Sequence, residues 1–155
     1  MPATQFRTRN DGFANRTRAS FGRQEFMAFL GAELHEIGPG TVEIRLPFQQ
    51  GLTQQHGYFH GGAIGTLADN AGGYAAFTLL AATDSILTVE YKLNIMAPAA
   101  GEMLIARGRV LRPGRRVSVC QSDIYCLKES VEVHCASSLG TFMVMTDAAD
   151  DAIGR

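Results

Sequence analysis

Tryptophan is absent from this chain, cysteine occurs three times, and Asp, Glu, Lys and Arg together make up only 19% of its 155 residues. So little charge excludes disorder as the main state, because disordered chains are polar and highly charged. Set against the usual value of roughly 25%, it also points to surface covered by a partner subunit. The net charge of −1 lacks the basic excess expected of a dedicated nucleic-acid binder. The cysteines (Cys120, Cys126 and Cys135) are odd in number and form no C-x-x-C pair, so neither a disulfide framework nor a zinc ribbon is indicated. Buried, reduced thiols in a cytoplasmic protein are expected. The longest lipid-like stretch without charge, Asn70 to Thr83, is 14 residues with two glycines, where a membrane span needs about 20. Nor do the first residues hold the apolar core of a secretory signal. A G-x-S-x-G elbow is missing as well, which removes the serine hydrolase pattern.

What is present suits one domain, 46% hydrophobic, of a size that buries roughly 70% of its unfolded surface. Residues 1–20 have no sustained period and, through residue 23, carry five arginines (Arg7, Arg9, Arg16, Arg18, Arg23) against one acid, Asp11; they read as a flexible basic arm. Phe21, Phe26, Phe29 and Leu30 fall at helical spacing, with Gly31 or Gly38 as the stop. Pro39-Gly40 marks a turn, and Val42, Ile44 and Leu46 give one face of a strand over Thr41 to Pro47. From Gly61 to about Ala82, Ile64, Leu67, Ala68, Ala71 and Ala75 form an apolar stripe of period 3.6, a helix. Four strands follow. Leu87, Val89, Tyr91, Leu93 and Ile95 alternate with polar residues; Met103 to Leu111, Arg116 to Leu127 and Val131 to Met145 complete a meander, turned at Arg112–Arg115 and at Lys128–Ser130. The tail 147–155 is acidic and reads as loose. The pattern is α+β: an antiparallel sheet wrapped around one long central helix.

The most informative feature is a charge count. Between Arg45 and Asp84 the only Asp, Glu, Lys or Arg is Asp69, in the middle of the predicted helix. An isolated carboxylate is costly to bury without a partner. Gly65, Gly72 and Gly73 lie about one turn away, and interior helical glycines cost about 1 kcal/mol each relative to alanine. Either something approaches that face closely, or the glycines serve helix–sheet packing. Immediately before the helix lies His56-Gly57-Tyr58-Phe59-His60-Gly61-Gly62. The first helical N–H groups have no intrahelical acceptor and sit at the positive end of the macrodipole, which equips the segment to stabilise an oxyanion. His56 and His60 are four apart as in metalloprotease helices, but no Glu lies between them, and no metal is expected. Arg107, Arg109, Arg112, Arg115 and Arg116 crowd one hairpin without an acid. They read equally well as solvated edge arginines or as a phosphate site.

The run H-G-G-A-I-G-T-L-A-D (His60 to Asp69) followed by A-G-G-Y-A-A, the later T-V-E-Y-K-L-N-I-M-A-P-A (Thr88 to Ala99) and the R-P-G-R hairpin resemble the hotdog-fold acyl-CoA thioesterases of the phenylacetate-pathway (PaaI) type. The resemblance covers about Phe26 to Met145 and implies a hotdog domain over 21–146. It implies that Asp69 acts as general base or nucleophile, that Gly61, with Gly62 beside it, supplies the oxyanion amide, and that Thr88 supports the acid. An amide side chain upstream helps hold water or substrate in that family; Gln54 and Gln55 are the candidates here. His60, Asn70, Arg112, Arg115 and Arg116 complete the expected substrate contacts. No cofactor is implied, since coenzyme A is part of the substrate. The expected partners are acyl-CoA and a second copy of the chain, a homodimer pairing into a dimer of dimers with sites shared between subunits. A hotdog dehydratase or hydratase, with His60 and Asp69 as its catalytic pair, and a non-catalytic acyl-CoA sensor are the alternatives.

Overall fold

A computed structural model describes residues 6–148 and 150. Six strands form one antiparallel sheet in the order β1-β2-β4-β5-β6-β3, and the helix α3 (Gly61–Phe77) lies across its inner face. The strands are β1 (Glu33–Gly38), β2 (Thr41–Pro47), β3 (Ser85–Ile95), β4 (Met103–Arg112), β5 (Val117–Lys128) and β6 (Val131–Met145). This is the expected α+β hotdog arrangement. The apolar stripe of α3 meets inward-facing Ile44, Leu46, Leu104, Ala106 and Ile124, all fully buried in one core. Sheet and helix approach closely at Gly108 of β4, where a Cβ would collide with the Ala71 carbonyl oxygen. Among the described residues no helix is long and apolar enough to cross a membrane.

Residues 13–20, read from the sequence as part of a flexible arm, are ordered. Helix α1 (Phe13–Gly22) buries Thr17, Ser20 and Phe21. Arg16 is the anchor: its guanidinium donates to the carbonyl oxygens of Ala81 and Asp84 and stacks 4.0 Å from the Phe77 ring centroid. The basic character that suggested solvation instead docks one arginine on the exit of α3. Helix α2 (Glu25–Leu30) follows and ends at Gly31, whose φ of 78° is the left-handed conformation that favours glycine at a helix terminus. Its Met27 and Leu30 are buried, while Phe26 and Phe29 stay exposed. Strand β1 was not expected at all. Its register slips between Leu34 and Glu36, so Leu34 and Ile37, three apart, both pack on the core and the period of two is lost from the sequence.

Two further expectations change. The central helix stops at Phe77 instead of about Ala82. The Thr78 hydroxyl donates to the Ala75 carbonyl and accepts the Gly40 N–H of the β1–β2 turn, and Leu79 and Leu80 bond three residues back, tightening the last turn. The four last strands are not one meander: β4, β5 and β6 are consecutive neighbours, whereas β3 pairs with β6 at the far edge. The chain crosses back after β3 to set β4 beside β2.

The β5–β6 hairpin has a two-residue loop, Glu129-Ser130, with φ of 49° and 67°. Both positive φ values match a type I′ turn, for which Asn-Gly is the favoured pair. Exchanging Glu129-Ser130 for Asn-Gly is expected to stabilise the fold by about 1 kcal/mol. A denaturation midpoint that stays put or falls counts against this assignment.

Candidate active site

Asp69 projects from the middle of α3 into a cavity of about 240 Å³, lined also by Asn70, Gly73, Tyr74 and Phe77 of α3, Ile86 and Thr88 of β3, Phe142 of β6, Ser20 of α1, Gln24 at the cap of α2, and Asp150. The carboxylate is half-buried. Thr88 donates its hydroxyl proton to Asp69 Oδ1 at 2.8 Å. Desolvation pushes the Asp69 pKa above the usual carboxylate range, and the Thr88 hydrogen bond opposes that shift in part. No cation among the described residues contributes to the balance. The result is a carboxylate that is more basic than a solvated one and remains within reach of a ligand.

A bulge in β3 makes this contact. The register slips between Thr88, opposite Phe142, and Glu90, opposite Thr141, leaving Val89 as the extra residue. Thr88 therefore faces α3 together with Tyr91, which packs on Gly65, although the two are an odd number of residues apart. The glycines beside Asp69 are explained by packing: a Cβ on Gly72 would lie 2.9 Å from Phe142 Cζ and one on Gly73 would lie 3.3 Å from the same ring. Asn70 turns its amide back to the Thr66 carbonyl at 3.2 Å while still lining the cavity.

The N-terminus of α3 is a separate place. His60 is the N-cap, with ψ of 141°, and its Nδ1 accepts the Gly62 N–H at 2.8 Å. That bond puts the ring proton of a neutral His60 on Nε2. It also occupies the Gly62 amide, so of the two glycines it is Gly61 whose N–H has no partner among the described residues. Gly61 lines a second cavity of about 390 Å³ with Gln54, Tyr58, Phe59, Ile64 and the segment Ile95–Ala99. Gln54 is therefore the glutamine near Gly61; its side-chain oxygen accepts the His56 N–H. Gln55 is exposed and lines neither cavity. His60 lines a third cleft, away from Asp69, beside Phe26 and Leu30.

The arginine cluster divides in two. Arg107 is tied to Glu43 at 2.8 Å and to both oxygens of Glu132 at 2.6 and 2.7 Å, over the Tyr125 ring, and these bonds push its pKa up. Arg109 donates to Gln121. Both belong to a polar ladder on the outer sheet face. Arg112, Arg115 and Arg116, at the β4–β5 turn, are exposed and pair with no acid among the described residues. Arg115 shares a cleft of about 530 Å³ with Arg7, Arg9 and Phe6.

Sequence reasoning missed the contribution of Ser20, Gln24 and Phe142 to the Asp69 cavity. Ser20 stands on α1 and Gln24 caps α2, helices whose seating depends on long-range contacts, and Phe142 shows only as one apolar position in a strand. The acidic tail supplied a further surprise. Asp150 binds Arg23 and accepts from Ser85 Oγ at 3.1 Å, so this residue is engaged, not loose.

The sequence that builds this fold also matches a known family. The thioesterase superfamily profile matches residues 56–133. The chain belongs to the thioesterase superfamily. It is 41% identical to a thioesterase family protein of Silicibacter pomeroyi, whose solved structure superimposes with a TM-score of 0.86 over 87% of this chain and 99% of that one. It is 26% identical to the 1,4-dihydroxy-2-naphthoyl-CoA hydrolase of Escherichia coli over 79% of this chain and 88% of that protein. The PaaI protein of the Escherichia coli phenylacetic acid degradation operon shares the fold, with a TM-score of 0.78 at 18% identity over 88% and 96% of the two chains. As a hotdog thioesterase of this superfamily, the protein is a thioester hydrolase.

Proposed function

We propose that the protein hydrolyses an acyl-CoA to the free acid and coenzyme A, with Asp69 acting on the thioester carbon and the Gly61 N–H stabilising the oxyanion. The observation that carries this reading is the Asp69 carboxylate, made more basic by desolvation and oriented by Thr88 inside a cavity. A thioester carbonyl has weak resonance and a good thiolate leaving group, so a carboxylate and an oxyanion donor suffice without a serine triad. Asp69 either takes a proton from water as that water attacks, or itself attacks to form a mixed anhydride that water then opens. Gln54 beside Gly61 is suited to hold the substrate carbonyl or the water, and Asn70 stands next to the acid.

Asp69 and Gly61 line different cavities of one chain. We therefore assign each complete site to two subunits, the acid from one and the amide from the other. The edge strand β3 favours this: Leu87, Val89, Tyr91 and Ile95 are exposed along it, on a long strand whose outer edge has no strand neighbour among the described residues. A cytoplasmic dimer, pairing further into a tetramer, is the assembly in keeping with three free, buried cysteines and few surface charges. The dehydratase alternative has less support, because His60 Nδ1 is committed to the Gly62 N–H. The sensor alternative has less support, since among the described residues α1 and α2 pack on the core through Phe21, Met27 and Leu30 and neither is free to read DNA.

Release of free thiol from a panel of aryl-, short-, medium- and long-chain acyl-CoAs tests the activity directly; absence of thiol from every member sinks it. The exposed hairpin arginines are assigned to the nucleotide phosphates, where guanidinium forks bind well. Arg115→Ala combined with Arg116→Ala should raise KM for acyl-CoA and spare a truncated acyl-cysteamine. Equal changes for both substrates would remove the phosphate assignment.

A further inference from the structure

The end of the Asp69 cavity formed by the N-terminal helices is polar, and it holds a donor without a use. The Tyr74 hydroxyl lies 2.8 Å from Gln24 Nε2 and 3.1 Å from Ser20 Oγ. An amide nitrogen only donates, so the Tyr74 oxygen accepts from Gln24. The contact between Tyr74 and Ser20 consumes one of their two hydroxyl protons, whichever of them donates. The other hydroxyl proton has no acceptor among the described residues, and both hydroxyl-bearing residues line the cavity. Ser20 and Tyr74 are only 6% and 7% exposed, so a ligand group that accepts from this donor inside the cavity gains a hydrogen bond. Burial raises the pKa of the Tyr74 phenol, which keeps it in the donor form.

Phe77, Ile86 and Phe142 contribute apolar surface to the same cavity. Tyr74 follows Asp69 by five residues on α3, about 7.5 Å along the axis at ~1.5 Å per residue. The shared cavity of about 240 Å³ suits a compact acyl group such as hexanoyl, entered at its thioester end by Asp69. The charged groups facing the cluster are Asp150 and its partner Arg23. With Arg23 already bound, an anionic tip would meet the Asp150 carboxylate, whereas a neutral one would not.

We propose that Ser20, Gln24 and Tyr74 are specificity-determining residues that read the far end of the acyl group, favouring a compact acyl chain tipped with a neutral hydrogen-bond-accepting group over a plain hydrocarbon. The inference rests on the reading of Asp69 as the group that acts on the thioester. It also gives α1 and α2 a role in substrate choice: they deliver two of the three residues to the cavity end.

The test compares kcat/KM for hexanoyl-CoA and its terminally hydroxylated counterpart in the wild type and in Tyr74→Phe, Ser20→Ala and Gln24→Leu. The wild type should prefer the hydroxylated substrate by roughly five- to tenfold, the order of one net hydrogen bond. Because a ratio is read, a general loss of activity in a variant cancels. The double variant Tyr74→Phe/Ser20→Ala, assayed beside them, removes both hydroxyl protons and should bring the ratio close to one; each single variant keeps one proton without an acceptor and should retain part of the preference, and Gln24→Leu, which frees the Tyr74 oxygen, should lower it. If the double variant does not fold, Gln24→Leu carries the comparison. A wild-type ratio near one, or a ratio that no variant changes, overturns the proposal while leaving the thioesterase reading in place. No thiol release from either substrate or from any other acyl-CoA overturns both.

Discussion

Replacing Asp69 by asparagine is expected to keep the fold and to lower kcat by roughly 10²–10⁴-fold, the range for loss of a general acid or base. The amide preserves the shape of the side chain and can still accept from Thr88 Oγ1, so the cavity should persist. Stability should hold or rise. Desolvation raises the folded pKa of Asp69 above its unfolded value, so the folded state holds this proton more tightly. Ionisation then costs stability, progressively as pH rises from the unfolded pKa through the folded one and fully above both. A neutral amide escapes that cost. The same shift places the acid limb of the wild-type pH–rate profile above the ordinary Asp pKa, with activity falling as the carboxylate is protonated. Thiol-release kinetics and a thermal melt on one preparation check both halves. Near-normal turnover in folded Asp69→Asn protein would end the assignment of Asp69.

Mixing two inactive proteins should restore turnover. Along α3, eight residues separate Gly61 from Asp69, about 12 Å at ~1.5 Å per residue, and the two line different cavities. An acid so placed cannot reach a carbonyl held at the start of its own helix. A two-fold axis that brings the helix of one subunit against that of another supplies both halves and makes the two sites equivalent. Asp69→Asn protein combined with a variant whose Gly61 amide is blocked by Gly61→Pro, which removes the N–H, should yield heterodimers with one intact site of two. Recovered activity should approach about half the wild-type value per heterodimer. Verified heterodimers without turnover, or a fully active monomer, would show that the sites are not shared.

The elements that position this chemistry differ in how openly the sequence displays them. Strand β2 and helix α3 are legible because each buries one regular face: Val42, Ile44 and Leu46 at every second residue, and Ile64, Leu67, Ala68, Ala71 and Ala75 along a 3.6-residue stripe. Strand β6 has the predicted bounds, Val131–Met145. Burial of a regular face leaves a periodic trace whatever the partner surface is. Asp69 was legible for a related reason, since a single charge in a run that must be buried is conspicuous.

Irregular elements leave no such trace. The bulges in β1 and β3 each shift the phase of a strand, hiding β1 altogether and making five alternating apolar residues of β3 look like one buried face, although Leu87, Val89, Tyr91 and Ile95 are exposed. Helix α1 is held by Arg16 on carbonyl oxygens some sixty residues away in sequence, a contact that local propensity does not encode. The choice between Gln54 and Gln55, the commitment of the Gly62 amide to His60, and the split of the arginines into a bound pair and a free trio all depend on which groups meet across elements. Sequence by itself determined the architecture and the acid at its centre, because burial pattern and charge are carried residue by residue. Tertiary structure alone decided what else faces that acid, because Phe142, Tyr74 and Ser20 reach one cavity only once the sheet has wrapped the helix and a docked N-terminal helix has closed its end.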